Sequence, residues 1–272
     1  MRDFMVKKIV DLLRFNQREN ITFNQDKLLP RERRDDDIYL VSYPKSGNTW
    51  ISFILANIIV EKLGLDIEIN TFNIHNFVPD IHRGINIPVN LGYFPFNRII
   101  KSHSTFKPEY LSVFYILRDP RSVMVSYYKF LVGLGQFKGG IGNLIRDKRN
   151  GIPAWVEHVN GWLKNMSPST RFRIFKYEDL KVNPEGSILS MAKLLGVKLS
   201  TPELETVIQK SSFEVMQKLE EETRSLSFIR HDKNFRFVRE GKIDGWRKEL
   251  AEQDLIYIET TAGKLMKSLG YE

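Results

Sequence analysis

The stretch from Ile38 to Trp50, IYLVSYPKSGNTW, limits what this chain can fold into more than any other. Ile38, Tyr39, Leu40 and Val41 are a short apolar run, which predicts a buried strand. Pro44 has no N–H to give a strand ladder and ends it. Lys45, Ser46, Gly47, Asn48 and Thr49 form a compact polar loop, and Trp50 opens an apolar segment long enough for a buried helix. Such a loop aims backbone N–H groups at one point, at the positive end of the helix, where an anion is readily held. Gly47 allows close backbone approach, Ser46 and Thr49 add hydroxyls, and Lys45 adds a full charge. The nucleoside-triphosphate loop G-x-x-x-x-G-K-[ST] places its lysine after the glycines. Here Lys45 precedes Gly47, and no glycine lies upstream in the loop. The segment therefore predicts an anion site without the usual triphosphate and Mg²⁺ geometry, with an ordinary strand-to-helix turn as the alternative.

A second strand-and-helix unit has the same character. Val113-Phe-Tyr-Ile-Leu117 reads as a buried parallel strand. It runs into Arg118-Asp119-Pro120-Arg121 and then Ser122 to Tyr128. Asp119 suits an N-cap and Pro120 the first helical position. Arg118, at the strand's carboxyl end, and Ser126, two turns along the helix, can both reach an anion. Between the two units, Arg98 to His103 predicts a short strand ending in Lys101 and His103. Two residues apart on an extended chain, they point to one side. A lysine beside a histidine lowers the imidazole pKa by like-charge repulsion and leaves more neutral base.

The rest of the chain alternates strands and helices. Helices are predicted up to Gly64 after the first loop, over Pro153–Met166, Pro184–Leu195, Pro202–Lys210 and from about Gln253 to Leu269, with a strand over Arg171–Tyr177. This pattern predicts an α/β fold: a single domain with a central, mostly parallel β-sheet flanked by helices. In such sheets ligands sit beyond the carboxyl ends of the strands, where Lys45, His103, Arg118 and Tyr177 all fall. Residues 1–34 are expected to form an N-terminal helix, at residues 3–15, and a connector, with residues 35–272 as the domain. Arg31 to Asp37 reads as a solvated stretch. Residues 66–97, rich in Asn, Pro and aromatics, predict a long irregular region of the kind that lines substrate sites. His75 and His82 in it read as ordinary loop histidines, since Pro79 lies between them. Six glycines between Gly133 and Gly151 predict a mobile loop or lid.

With 272 residues and 42% hydrophobic content the chain can bury a sizeable core. It has no cysteine, which excludes disulfides, thiol catalysis and cysteine-ligated zinc. A formal net charge of +8 favours anionic partners. The apolar residues near the N-terminus are interrupted by Lys7, Lys8, Asp11 and Arg14, so no signal peptide is read, and no run reaches the length of a membrane span. A cytoplasmic protein is expected, with peripheral membrane contact by the N-terminal helix as the weaker option.

Taken together, the motifs resemble the sulfotransferases that use 3′-phosphoadenosine 5′-phosphosulfate (PAPS). YPKSGNTW, Tyr43 to Trp50, resembles the family's 5′-phosphosulfate loop, a P-loop-like element. RDPRSVMVSYY, Arg118 to Tyr128, resembles its 3′-phosphate strand and helix. FKYEDL, Phe175 to Leu180, and SSFEVM, Ser211 to Met216, are similar to its adenine-side segments, and IKSH, Ile100 to His103, to the strand with the catalytic histidine. REGKIDGW, Arg239 to Trp246, resembles its late glycine motif, with Glu240 where a basic residue is common and Asp244-Gly245 in inverted order. The match spans roughly residues 35–250.

The resemblance implies in-line transfer of a sulfuryl group from PAPS to an acceptor oxygen. It makes His103 the general base and gives Lys45 the charge that builds on the leaving 5′-phosphate. It assigns Lys101 to the sulfuryl oxygens. Ser46, Gly47, Asn48, Thr49 and Trp50 would cradle the 5′-phosphate and the adenine side. Arg118, Ser126, Arg239, Glu240 and Gly241 would belong to the 3′-phosphate site, and Tyr177, Ser211 and Phe213 to the adenine side. No metal is implied. The competing readings are a nucleotide-dependent small-molecule kinase, and a non-catalytic basic binder of nucleotide or glycan. Nucleic acid is not an expected partner. Asn70, Asn73, Asn76, Asn86 and Asn90 favour a carbohydrate or other natural-product hydroxyl as acceptor, ahead of a simple phenol. Tyr93, Phe94 and Phe96 would stack on a sugar or a phenol alike. The dimer motif of the animal cytosolic members is not found, which leaves the oligomeric state open.

Overall fold

The computed structural model describes residues 34–83, 97–167, 170–222, 236, 238 and 241–272, together with the backbone of short strands at 20–21, 23–24, 29–30 and 87–88. The centre is a four-stranded, fully parallel sheet. Its strands are β1 (Ile38–Ser42), β2 (Ile99–Ser102), β3 (Ser112–Leu117) and β4 (Arg171–Lys176), in the order β2-β1-β3-β4. Ile38 pairs with Ile99, Tyr39 with Val113, and Val113 with Phe172. Every residue of β1, β2 and β3 is buried. This explains their continuous apolar runs, since a parallel sheet is covered on both faces.

Alternate residues feed two cores. Ile38, Leu40, Phe114 and Ile116 point into one, and Tyr39, Val41, Val113, Tyr115 and Leu117 into the other. The first core holds α1 (Asn48–Leu63), which is buried nearly all round. It packs beneath α6 (Pro184–Leu194) and α7 (Thr201–Lys210). The second holds α2 (Pro120–Gly133), α3 (Ile141–Arg146), α4 (Ile152–Asn165) and α9 (Glu252–Ser268). Trp155 and Trp162 of α4 are fully buried there. Two further helices, α5 (Tyr177–Val182) and α8 (Phe213–Glu222), lie near the carboxyl ends of the strands.

The local signals are those read from the sequence. Gly64 ends α1 in the left-handed region at φ 60° and donates its N–H to the Glu61 carbonyl. Asp119 caps α2 by accepting the Arg121 N–H, with Pro120 at the first helical position. Three expectations are corrected. Asp37 is not solvated: its carboxylate is buried and takes two hydrogen bonds of 2.7 Å from the Arg98 guanidinium, tying the start of β1 to the start of β2. The glycine-rich stretch is not a free lid. Leu144 and Ile145 of α3 are fully buried, Tyr128 Oη donates to the Gly139 carbonyl, and Arg146 pairs with Asp254 of α9. Pro79 forbids one continuous helix, as expected, but short helical turns flank it at Ile74–Phe77 and Ile81–Arg83. The expected helix at residues 3–15, Asn86, Asn90, Tyr93, Phe94, Phe96, Arg239 and Glu240 lie outside the described residues.

Candidate active site

The carboxyl ends of β1, β2 and β3 and the start of α5 open on one cavity of about 380 Å³. Lys45, Gly47, Asn48, Thr49, Trp50, Lys101, His103, Arg118, Ser126, Tyr177, Phe213 and Gly241 all line it. The sequence scattered these residues over nearly two hundred positions, and the parallel sheet gathers them because every strand ends on the same side.

The loop after β1 is shaped by two left-handed residues. Lys45 has φ 68° and Gly47 φ 103°. At Gly47 a side chain is excluded twice over: the torsion disfavours it, and a Cβ would stand 2.5 Å from the Tyr177 ring. A non-glycine residue at positive φ, as at Lys45, is the sort of local strain that collects at functional sites. Gly47 is the N-cap of α1 and has no side chain to cap it, so the first N–H groups of a sixteen-residue helix open toward the cavity rim. Lys45 Nζ stands 4.3 Å over the Phe130 ring.

Two of the predicted loop groups turn inward. Ser46 is buried and does not line the cavity. The Asn48 amide donates to the Leu40 carbonyl at 3.2 Å and to Ser42 Oγ at 3.1 Å. These side chains brace the loop. Ser211 also stays outside the cavity: its carbonyl accepts the Trp50 indole N–H at 2.9 Å and its hydroxyl accepts from Asn57.

Arg118 is held rigidly. Nη1 donates to the Lys45 carbonyl at 3.2 Å, and the guanidinium stacks 4.1 Å over Tyr177. Among the described residues, its buried Nε finds no hydrogen-bond partner. A buried donor left unpaired is costly, and an anionic ligand would relieve it. Tyr177 in turn donates its hydroxyl to the Gly241 carbonyl at 3.4 Å and meets Trp50 edge-on at 5.4 Å. Phe213 closes this aromatic corner, and Lys181 Nζ lies 5.3 Å from both the Trp50 and the Phe213 ring.

At the opposite wall, His103 Nδ1 lies 2.9 Å from the Ser42 carbonyl. A carbonyl only accepts, so Nδ1 carries the proton and Nε2 has the lone pair. Burial, and next the Lys101 charge, hold the imidazole well below its usual range, at about 3, against the pull of Asp80. The ring is therefore neutral across the physiological range. Burial, and not the neighbouring Lys101 charge expected from the sequence, is the larger cause.

Two residues of this wall were missed. Asp80 Oδ2 stands 3.0 Å from Lys101 Nζ. Burial opposes its ionisation, but Lys101 and His103 outweigh that and hold the carboxyl at about 2. His82, read as an ordinary loop histidine, lines the cavity, and its Nε2 accepts the His103 backbone N–H at 2.8 Å. No periodicity marks either residue, because Asp80 sits between two single-turn helices and His82 lies inside the second of them, Ile81–Arg83. Asn70 and Asn73, by contrast, spend their side chains on a local turn. Asn73 Oδ1 accepts the Asn70 N–H, Asn70 Oδ1 accepts the Phe72 N–H, and the Asn73 amide donates to the Glu68 carbonyl. Behind the wall, Tyr115 Oη and His158 Nδ1 share a buried 2.8 Å hydrogen bond, and burial holds the His158 pKa down at about 4.

Comparison with known proteins bears on the family and the fold. The sulfotransferase-domain family matches residues 35–270. Mouse sulfotransferase 2A1 is 29% identical over 91% of this chain and 90% of its own length. Human sulfotransferase 2B1 is 30% identical over 79% of this chain and 61% of its own length. In fold, retinol dehydratase in complex with androsterone and the inactive cofactor PAP superposes with a TM-score of 0.65 at 22% identity, over 87% of this chain and 82% of that one. Mouse sulfotransferase SULT7A1, complexed with PAP, gives 0.61 at 18% identity, over 87% and 86%. The chain belongs to the family of PAPS-dependent sulfotransferases.

Proposed function

We propose that this protein transfers a sulfuryl group from PAPS to a hydroxyl of a small-molecule acceptor, with His103 as the general base. The observation that carries this is the placement of His103. Its Nδ1 is tied to the Ser42 carbonyl, so the free Nε2 belongs to a ring lining the same cavity as Lys45, Lys101 and Arg118. A base must lie within reach of the proton it takes, and a neutral imidazole can accept one.

The donor side fits a nucleotide with two separate anionic groups. The start of α1 with Lys45, Gly47 and Thr49 would hold the 5′ end, where the helix dipole and unpaired N–H groups favour negative charge. Arg118, with its unpaired buried Nε, and Ser126 would hold the 3′-phosphate. Trp50, Tyr177 and Phe213 would enclose the base. PAPS supplies the sulfuryl group and a stable leaving nucleotide. Lys45 would meet charge developing at the 5′-phosphate and Lys101 charge on the sulfuryl oxygens, as fixed cations in a partly dry site. His103 Nε2 would take the acceptor proton as the acceptor oxygen attacks. A kinase would need metal-binding groups beside a lysine that follows the glycines, and this loop has neither arrangement.

The acceptor side is close to neutral, since Asp80 offsets Lys101 and His103 carries no charge. Phe130 and Tyr127 line the same cavity. With Asn70 and Asn73 committed to their own turn, an alcohol on an apolar or ring-bearing scaffold takes precedence over a glycan. Androsterone and retinol, each found in complex with a retinol dehydratase of the same fold, are such alcohols. The test is product mass spectrometry with PAPS against steroid, retinoid, phenol and sugar alcohols, with wild type and His103→Ala. A sulfated product formed by wild type and not by the variant is expected. Full turnover by His103→Ala would remove the histidine from the mechanism, and selective sulfation of sugars would reverse the acceptor class.

A further inference from the structure

The arm Pro79–His82 lies along the outer edge of β2. Lys101 N–H donates to the Pro79 carbonyl at 2.8 Å, and Asp80 bridges Lys101 in parallel. From this arm two side chains reach the two groups that the reaction needs. Asp80 Oδ2 holds the Lys101 ammonium at 3.0 Å, while its Oδ1 accepts the His82 N–H at 3.0 Å. His82 Nε2 accepts the His103 N–H at 2.8 Å. The chain of contacts runs from Lys101 through Asp80 and His82 to His103 and closes through β2 itself.

We propose that Asp80 and His82 are positioning residues for sulfuryl transfer, Asp80 acting through the ammonium of Lys101 and His82 through the peptide of His103. The inference rests on the reading of His103 and Lys101 given above. Three observations support it. A buried carboxylate–ammonium pair adds little net stability, because desolvation offsets the attraction, so its effect is geometric before it is energetic. The His82 contact fixes a tautomer: Nε2 accepts, so Nδ1 bears the proton, and protonating Nε2 would break the bond to His103. The charges around His103 also balance. Lys101 on β2 and, to a smaller degree, His82 push its pKa down, and Asp80 on the arm pulls it up. Without Asp80, the imidazole would face an unopposed Lys101 and become a weaker base. A loosened base or cation loses rate steeply, since displacements near 1 Å cost about a hundredfold.

The test uses Asp80→Asn, His82→Ala and His82→Gln in the full chain, with PAP affinity by calorimetry, kcat and KM with the acceptor found for wild type, and the His103 amide proton resonance. Asp80→Asn keeps the shape and removes the charge; His82→Gln keeps an acceptor. The expected result is a fall in kcat of about tenfold for Asp80→Asn and His82→Ala, with PAP affinity within about twofold of wild type. His82→Gln should recover most of the loss, and the His103 amide resonance should shift in His82→Ala alone. Wild-type kcat in Asp80→Asn and His82→Ala overturns the proposal. So does a parallel loss of PAP affinity and turnover, which would mark a merely structural lock. If His82→Ala does not fold, Asp80→Asn and His82→Gln decide: the former must be slow and the latter near wild type. Transfer by wild type together with unchanged variants sinks the positioning roles alone; absence of both PAP binding and transfer in wild type sinks the functional reading beneath them.

Discussion

The two walls of the cavity are built by different means. The wall proposed to hold the nucleotide is mostly backbone and sheet: a glycine-shaped turn, the start of α1, and side chains placed at the ends of β3 and β4. The wall proposed to face the acceptor is a network, in which Lys101, Asp80, His82 and His103 hold one another. Donor recognition should therefore tolerate changes on the acceptor wall, while transfer should need both.

The largest effect that would break this division is at His103. His103→Ala should lower kcat by at least about a hundredfold, the usual contribution of a general base, and leave PAP affinity within about twofold. Titration of PAP into the variant checks the second half, and a collapse of binding would merge the two walls into one. The next effect is at Gly47. A Cβ there meets the Tyr177 ring at a torsion that disfavours any side chain. Gly47→Ala should weaken PAP about fivefold to a hundredfold, given strain of roughly 1–3 kcal/mol, and turnover should fall with it. Arg118→Lys should cost about fivefold to tenfold in PAP affinity, because a lysine keeps the charge but loses the Nε donor and the stacking on Tyr177. Near-wild-type affinity in Arg118→Lys would remove the guanidinium geometry from the site.

Much of the nucleotide wall was legible because its constraints are local. A strand, a proline, a glycine and a helix start are each fixed by the backbone rules of a few adjacent residues. The same rules gave the Asp119 cap and the stop at Gly64. On the other wall, Lys101 and His103 were legible as a pair at one strand end, but Asp80 and the place of His82 were not, because their bonds join residues 80 and 82 to residues 101 and 103 and have no sequence period. Asp37 was misread for the same reason: its partner, Arg98, is 61 positions away. Glycines at 133–151 read as freedom, but the buried Leu144 and Ile145 anchor the segment. Ser46, Asn48 and Ser211 carry the right polar atoms and aim them inward, a choice that spacing alone does not fix.

The last effect is on stability rather than on binding or turnover, and concerns the ground behind the wall that holds His103. His158 is buried with its pKa at about 4, below the roughly 6.5 of an unfolded chain. The folded form is favoured while this histidine is neutral, so the stabilisation is complete above about pH 6.5. It is lost as pH falls toward 4, by up to about 3 kcal/mol. His103, whose folded pKa is also depressed, acts in the same direction and carries the loss to lower pH. Melting temperature should fall between pH 6.5 and 4, and His158→Gln should flatten the slope. An unchanged slope in that variant would place the titration elsewhere.

The most direct test of the account is calorimetric binding of PAP to the wild-type protein without metal, beside 5′-AMP, which lacks only the 3′-phosphate, and Mg-ATP. Two separate anion sites predict that PAP binds without Mg²⁺ and that AMP is weaker by at least about tenfold, since a buried charge-assisted contact is worth 1.5–3 kcal/mol. Equal affinity for PAP and AMP, or binding of Mg-ATP in preference to PAP, would contradict it.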